Sequence, residues 1–412
     1  MEKVILHIDF DSYFASCEQQ FDSLLRGKPI GVTAQNGRTC IIAASREAKK
    51  LGVKSPSRTF EALQKAPNML FVPAHFEKYW EITQKFIDIC KDYSPFIELF
   101  SLDEVYMDVT ATQSLFKDKY QLINQIKTRI RQEIGEYITV SVGISHNKLL
   151  AKLASGLNKP NGLVEITTKN FEKVYATVEL TDICGIGERI GQRLNSLGVY
   201  SLLDLKKTPL SMLKAEFGNV ESQFLKNVSL GIDNSPVISY TVSPIVKSVG
   251  RSYCLPKNEY DKRIVLQNFY ELCEEVSLKL RRLDKKARTV GFYLGGSSRI
   301  NKRKTYTDYF NTGGEIFKHC LDLMEDFNFN NNYIRQMSIW ASNLSTKTDF
   351  QMSIFDTPKN DNLIKTIDLI NNKFGDHTIR NGFLLYSSKL TTVPNGYMAD
   401  KFERTKLALS EF

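Results

Sequence analysis

The sequence predicts a multidomain α/β (α+β) chain, and three observations carry that prediction. Within the first 110 residues an apolar strand runs into an acid twice, with amphipathic helices between. Residues 170–233 then have an almost purely helical pattern. Finally, residues 247–345 read strand, helix, strand, strand, helix, strand, a βαββαβ domain.

Each element follows from its local pattern. Residues 4–8 (VILHI) form a buried strand ending at Asp9, and residues 12–25 have helix spacing. Two β-branched runs, PIGVT and TCIIAAS, lie within 28–45 and flank the turn Asn36-Gly37. Short helices are expected at 46–51 and 57–65, and a longer amphipathic one at 76–93. ELFSLDEVYMDVT (98–110) reads as two strands joined by a tight acidic turn. Residues 119–134 set Leu122, Ile123, Ile126 and Ile130 on one helix face, and ITVSVGIS (138–145) alternates like a half-buried strand. Helices would thus cover one sheet face of the first 167 residues. SPVISYTVSPIV (235–246), with two prolines, reads as an extended linker. In the last domain the first helix spans 261–282, and the asparagines of 328–332 make a turn. Beyond 346 come a polar segment, one short apolar motif, an amphipathic helix at 361–374 and a tail. No internal repeat is visible.

A chain of 412 residues exceeds one ordinary core and predicts two to four domains. Its apolar content of 42% and charged content of 25% are those of a globular protein. The net charge of +9 points to a polyanion, nucleic acid before anionic membrane, or else to a basic but unspecialised surface. Cys17, Cys40, Cys90, Cys184, Cys254, Cys273 and Cys320 include no C-x-x-C pair, which disfavours zinc and fits reduced thiols in a cytoplasm. MEKVILHIDF lacks a secretory apolar region, and no apolar run approaches a membrane span, so no membrane partner is expected.

The acids carry the chemistry. Asp9 ends one strand, and Asp103 and Glu104 occupy the tight turn Ser101-Leu102-Asp103-Glu104. Adjacent strands lie about 5 Å apart, so carboxylates at neighbouring strand ends can converge on one cation pair. A divalent metal removes the mutual repulsion of such a cluster. Magnesium suits carboxylates, water and substrate phosphates, and two such ions perform phosphoryl or nucleotidyl transfer. Any one acid alone reads equally as a solvated loop residue. Asp11 and Asp108 receive no role from spacing.

HIDFDSYFASCE (7–18), SLDEVYMDVT (101–110) and VGISHNKLLAKLASGLNKPNG (142–162) closely resemble the three catalytic-core motifs of the Y-family (impB/mucB/samB-like) DNA polymerases. The likeness continues through CGIGERIGQRLNSLGVYSLLDL (184–205) and KSVGRS (247–252), and leans toward the bacterial mutagenic, SOS-type branch and its relatives. It implies a right-hand polymerase performing error-prone translesion synthesis. The implied palm is 1–11 and 76–167, the fingers 12–75, the helical thumb 168–234 and the linker 235–246. The little finger is 247–345, and the tail 346–412. By this resemblance Asp9, Asp103, Glu104 and the Phe10 carbonyl hold two magnesium ions, with manganese as a substitute. Phe14 is the steric gate against a ribose 2′-hydroxyl, although without the resemblance it reads as a core aromatic. Tyr13 packs by the sugar and lends an amide to the triphosphate, which Lys159 contacts as a point charge. The sequence departs from many members where a tyrosine and an arginine grip the triphosphate: SREAKKLG (45–52) puts Arg46 and Lys49 there, and Ala43 replaces a hydroxyl. Cys40 and Val32 fall where family residues cover the nascent base pair.

For DNA, Gly185-Ile186-Gly187 between short helices resembles a helix-hairpin-helix, whose amides contact phosphate without reading sequence. Lys247, Arg251, Lys285, Lys286, Arg288, Arg299, Lys302, Arg303 and Lys304 place charge along the implied little finger, and the linker would let this domain move. Gln351-Met352-Ser353-Ile354-Phe355 resembles the pentapeptide that binds the bacterial sliding clamp, through Gln351, Ile354 and Phe355. The implied partners are therefore primer-template DNA, a deoxynucleoside triphosphate, the clamp and SOS accessory proteins. Two other readings are a clamp partner that has lost catalysis and a palm-type nucleotidyl cyclase. Intact Asp9, Asp103, Glu104 and Lys159 disfavour the first; the hairpin, the basic sheet and the clamp-like peptide disfavour the second.

Overall fold

The computed structural model describes residues 3–33, 40–242, 245–330, 332–346, 358–375 and 378–385. These fall into two units that divide at residues 243–244, inside the stretch 235–246.

In the first unit, β1 (Ile5–Phe10) leads into α1 (Tyr13–Phe21). A small sheet of β2 (Ile30–Thr33), β3 (Ile41–Ala44) and, after the short helices α2 (Arg46–Lys50) and α3 (Thr59–Lys65), β4 (Leu70–Pro73) follows in the order β3-β2-β4. Next come α4 (Phe76–Lys91), β5 (Ile97–Leu99), β6 (Glu104–Asp108), α5 (Lys119–Arg129), β7 (Val140–Ser145), α6 (Lys148–Leu157) and β8 (Leu163–Glu165). The main sheet has the order β5-β6-β1-β7-β8. β1 sits at its centre, antiparallel to both β6 and β7. Its apolar residues Ile5, Leu6 and Ile8 are fully buried, as a central strand covered on both faces requires. Gly143 in β7 lets α6 lie directly on the sheet; a Cβ there would collide with the Ala151 carbonyl.

Several expectations need revision. The single helix expected at 12–25 breaks at Asp22, which turns extended and accepts the Leu24 amide to cap a 3-10 turn. The helix expected at 119–134 is α-helical to Arg129 and π-helical over Ile130–Ile134, stopping at Gly135. β4 and β8 add to the expected elements: each is a three- or four-residue edge strand, and β4 ends in a proline, which a strand tolerates only at such positions. Nor is the linker loose throughout. Its Tyr240 amide donates to the Ile97 carbonyl at 2.7 Å and its Ile238 amide to Glu98 at 2.9 Å, which lays it along the edge strand β5.

The same unit continues with a helical layer: α7 (Phe171–Tyr175), α8 (Glu188–Ser196), α9 (Leu202–Lys207) and α10 (Leu210–Ser229), the last kinked where Gly218 takes φ +77°. Leu194, Leu202, Leu205, Leu213 and Leu225 form its core with Leu150 and Leu153 from α6.

The second unit is β9 (Ser248–Glu259), α11 (Lys262–Arg282), β10 (Lys285–Gly296), β11 (Arg299–Phe310), α12 (Gly313–Met324) and β12 (Ile334–Thr346). Its antiparallel sheet has the order β11-β10-β12-β9. α11 and α12 cover one face through Val265, Phe269, Leu272, Val276, Ile316 and Cys320, packed on Val290, Phe292, Leu294, Met337 and Ile339. The amphipathic helix expected at 361–374 is α13 (Pro358–Phe374), held to α11 by a two-bond pair from Arg281 to Asp368 at 2.6 and 2.7 Å. The clamp-like residues Gln351, Ile354 and Phe355 lie outside the described residues.

Candidate active site

Strand alternation assembles the acids. His7 and Asp9 share one face of β1, two residues apart. Asp9 lies directly opposite Glu104 in the β1–β6 register. The turn carrying Asp103 is tied to the same strand end, because the Phe10 amide donates to the Asp103 carbonyl at 2.9 Å. The Ser101 hydroxyl bonds the Asp103 carboxylate. His7, Asp9 and Glu104 each bring a ligand atom within 4.8 Å of the others.

The electrostatics describe an overloaded anionic cradle. Burial, then repulsion from Asp103 and Glu104, pushes Asp9 up to about 7 against the pull of Lys159. Burial also raises Asp103. For Glu104 burial acts upward, but the His7 hydrogen bond and the Lys152 charge outweigh it and hold the carboxyl down at about 2. His7 is fully buried, and burial lowers it to about 4. Lysine ammoniums sit on both strand carboxylates, Lys159 on Asp9 and Lys152 on Glu104. Three crowded carboxylates, two of them raised by burial, fit a hard divalent cation. The His7 ring nitrogens are already engaged, Nε2 with Glu104 at 3.0 Å and Nδ1 with Ser155 at 2.7 Å.

A second network gathers the cations. Asp11 is 2% exposed and accepts from Thr139 Oγ1 at 2.6 Å, Ser141 Oγ at 2.7 Å and the Asn161 amide at 2.7 Å. Asn161 needs that anchor, since it holds φ +56° just beyond Lys159-Pro160. Arg46 donates to the same Thr139 hydroxyl at 2.6 Å. Burial, then repulsion from Lys159, lowers the amine of Lys49, which also feels Asp11, Asp9 and Arg46. The structure therefore brings Asp9, Asp103, Glu104, Arg46, Lys49 and Lys159 to one place. Sequence reasoning passed over His7, Lys152 and Ser155 and gave Asp11 no role. The two-residue step from His7 to Asp9 could have signalled the first; the others act through tertiary contacts.

Phe14 is 7% exposed and stacks on Tyr79 with ring centroids 4.5 Å apart. Tyr13 stacks on Phe10 at 4.7 Å, and its hydroxyl donates to the Tyr79 carbonyl at 2.6 Å. Of the two positions expected over a base pair, Val32 is fully buried in its sheet, whereas Cys40 is exposed.

In the helical layer Gly185 has φ +101°, and a side chain there would run into Phe224. Gly187 opens α8 with no side-chain cap, and the space where a Cβ would stand is empty to 4 Å, so its backbone can be approached closely.

In the second unit the uncovered sheet face carries Arg299, Asn301, Arg303 and Thr305 of β11, set against Gly295, Tyr293, Gly291 and Thr289 of β10. Arg303 and, ahead of β9, Lys247 are exposed. Arg251 sits apart from this open face. It shares a strand face with the buried Val249 and Leu255, and its guanidinium bonds Glu275 of α11 at 3.2 Å, on the helix-covered side. Arg288 is half-buried with its guanidinium 5.7 Å from the Tyr309 ring centre.

Residues 8–156 match the impB/mucB/samB family, residues 246–354 its C-terminal domain, and residues 181–233 the thumb domain of DNA polymerase-iota. The chain is 30% identical over 385 residues to a DNA polymerase IV of Desulfatibacillum aliphaticivorans, covering 92% of this chain and 96% of the relative. It is 32% identical over 360 residues to one from Staphylococcus saprophyticus, covering 86% and 99%. A Y-family DNA polymerase chimera, Dbh-Dpo4(243-245)-Dbh, superposes with a TM-score of 0.71 at 25% identity, covering 83% of this chain and 99% of that one.

Proposed function

The chain belongs to the Y family of DNA polymerases and is a template-directed translesion polymerase; from that membership we propose that Asp9, Asp103 and Glu104 hold its catalytic metals, with the Phe10 carbonyl as a further ligand. The observation that carries this reading is the pairing of Asp9 with Glu104 across β1 and β6, with the Asp103 turn bonded to the same strand end. Held there, two magnesium ions would supply activation of the primer 3′-hydroxyl and charge neutralisation on the departing pyrophosphate.

The chain's own groups do the rest. Lys159, paired with Asp9 here, exchanges that partner for the triphosphate of the incoming deoxynucleotide. Arg46 and Lys49 add charge beside it, Arg46 supplying the planar donor set that Lys49 lacks. Phe14, backed by Tyr79, occupies the place of a ribose 2′-hydroxyl, while Tyr13 supports the sugar through α1, whose first turn receives no side-chain cap from Ser12. Gly185 and Gly187 let the hairpin backbone meet a phosphate, and Lys247, Arg288 and Arg303 add charge along the second unit's sheet. In this reading the palm, fingers, thumb and little finger have the bounds given above. Gln351, Ile354 and Phe355 tether the enzyme to a sliding clamp, raising its local concentration. A cytoplasmic setting with SOS accessory proteins completes the proposal; among the described residues no helix is long and apolar enough to cross a membrane.

Primer extension with magnesium, on undamaged and abasic templates, tests this function. Asp103→Ala and Glu104→Ala should each lose at least about 1,000-fold in rate while still binding primer-template. Full extension by either variant removes the metal assignment. Deleting Gln351–Phe355 should shorten products only when clamp is loaded; equal products with and without the deletion remove the tether.

A further inference from the structure

Glu104 is held from behind by two side chains that both choose the same oxygen. Oε2 accepts from His7 Nε2 at 3.0 Å and from the Lys152 ammonium. Oε1 takes no hydrogen bond among the described residues. We propose that His7 is a positioning residue which, as its Nε2–H tautomer, turns Glu104 so that Oε1 faces the metal cradle. This rests on the metal assignment above.

The tautomer follows from donor counting. An ionised carboxylate offers only acceptors, so the His7 proton facing it belongs on Nε2. In the neutral ring Nδ1 then accepts, with the single Ser155 hydroxyl proton directed to it across 2.7 Å. Ser155 has a competing acceptor in the Lys152 carbonyl at 2.8 Å. Donation there would push the ring proton to Nδ1 and set the Nε2 lone pair against Glu104. The group is buried: His7 is 0% exposed, Ser155 3% and Glu104 8%. Partners behind a metal ligand fix its orientation and basicity, and their loss typically costs about 10- to 100-fold in metal affinity. Lys152 cannot replace His7 in this task, because its flexible stem and partly exposed head fix charge but not direction.

The test measures Mn2+ binding by electron paramagnetic resonance, using the full chain with primer-template and a non-hydrolysable deoxynucleotide. His7→Leu should weaken Mn2+ binding about 10- to 100-fold, with primer-template affinity unchanged. His7→Gln, which keeps an N–H near the Nε2 position, should restore it to within a few-fold. Ser155→Ala should shift binding in the same direction by less, and serves if His7→Leu does not fold. The 15N spectrum of the His7 ring, identified by its loss in His7→Gln, should show a protonated Nε2. Wild-type Mn2+ binding in His7→Leu or Ser155→Ala, equal losses in Leu and Gln variants, or a protonated Nδ1 would each overturn the proposal. Asp9→Ala separates the two readings: if it alone loses Mn2+, only the His7 role fails, and if it keeps Mn2+, the metal assignment itself fails.

Discussion

The Asp11 carboxylate accepts the backbone amide of Asn161 at 2.7 Å, joining residues 150 positions apart. That bond fixes the turn just after Lys159, so the lysine's reach toward the cradle depends on a buried acid outside the proposed metal set. Asp11→Ala leaves two hydroxyls and one amide without their acceptor. The expected cost is roughly 2 kcal/mol or more of stability, with a rise on the order of 10-fold in KM for the deoxynucleotide. Urea unfolding and steady-state kinetics check it; an unchanged KM detaches Asp11 from the lysine loop.

Protonation gives a second prediction. Asp9 is raised from 3.8 to about 7, so between those values the folded chain binds a proton that the unfolded chain has released. Ionising Asp9 therefore costs metal-free stability progressively as pH rises from about 4 to about 7. His7, lowered from 6.5 to about 4, contributes with the opposite sign over nearly the same window. The comparison must thus be made against Asp9→Asn, in which the His7 contribution is shared. With chelator present, the melting temperature of Asp9→Asn relative to wild type should climb across this window and level off above it. With magnesium, wild type should regain the difference near pH 8. A flat difference would mean that Asp9 is already ionised at low pH.

Phe14 is both a proposed gate and a packed aromatic. Phe14→Ala should lower discrimination against ribonucleotides by roughly one to two orders of magnitude. It should also cost about 3 kcal/mol or more, because its stack on Tyr79 is lost. Single-nucleotide insertion well below the melting temperature separates the two effects. Unchanged sugar selection would leave Phe14 with the structural role alone.

Two arginines of the second unit should behave differently although both were expected on DNA. Arg303→Ala, on the open sheet face, should reduce the salt slope of primer-template binding by about 1 without changing stability. Arg251→Ala removes the bond to Glu275 of α11 and should cost about 1–3 kcal/mol while leaving the slope intact. Fluorescence anisotropy across a salt series, paired with thermal melts, distinguishes them; a slope change in Arg251→Ala would return it to the DNA-facing set.

The division between these residues reflects what local pattern can encode. Apolar alternation ending in Asp9, the acidic turn at Asp103-Glu104 and the helical run of 170–233 are written in neighbouring residues, so the sequence by itself determined most of the element types and the family. Pairing partners are not local. Only the folded chain decided that Asp9 faces Glu104, that His7 and Lys152 share one oxygen, that Asp11 anchors Asn161, and that Arg251 turns inward. Such contacts are chosen by register and by the burial of polar groups that must find a partner wherever the fold supplies one, a choice made by atoms far apart in the chain.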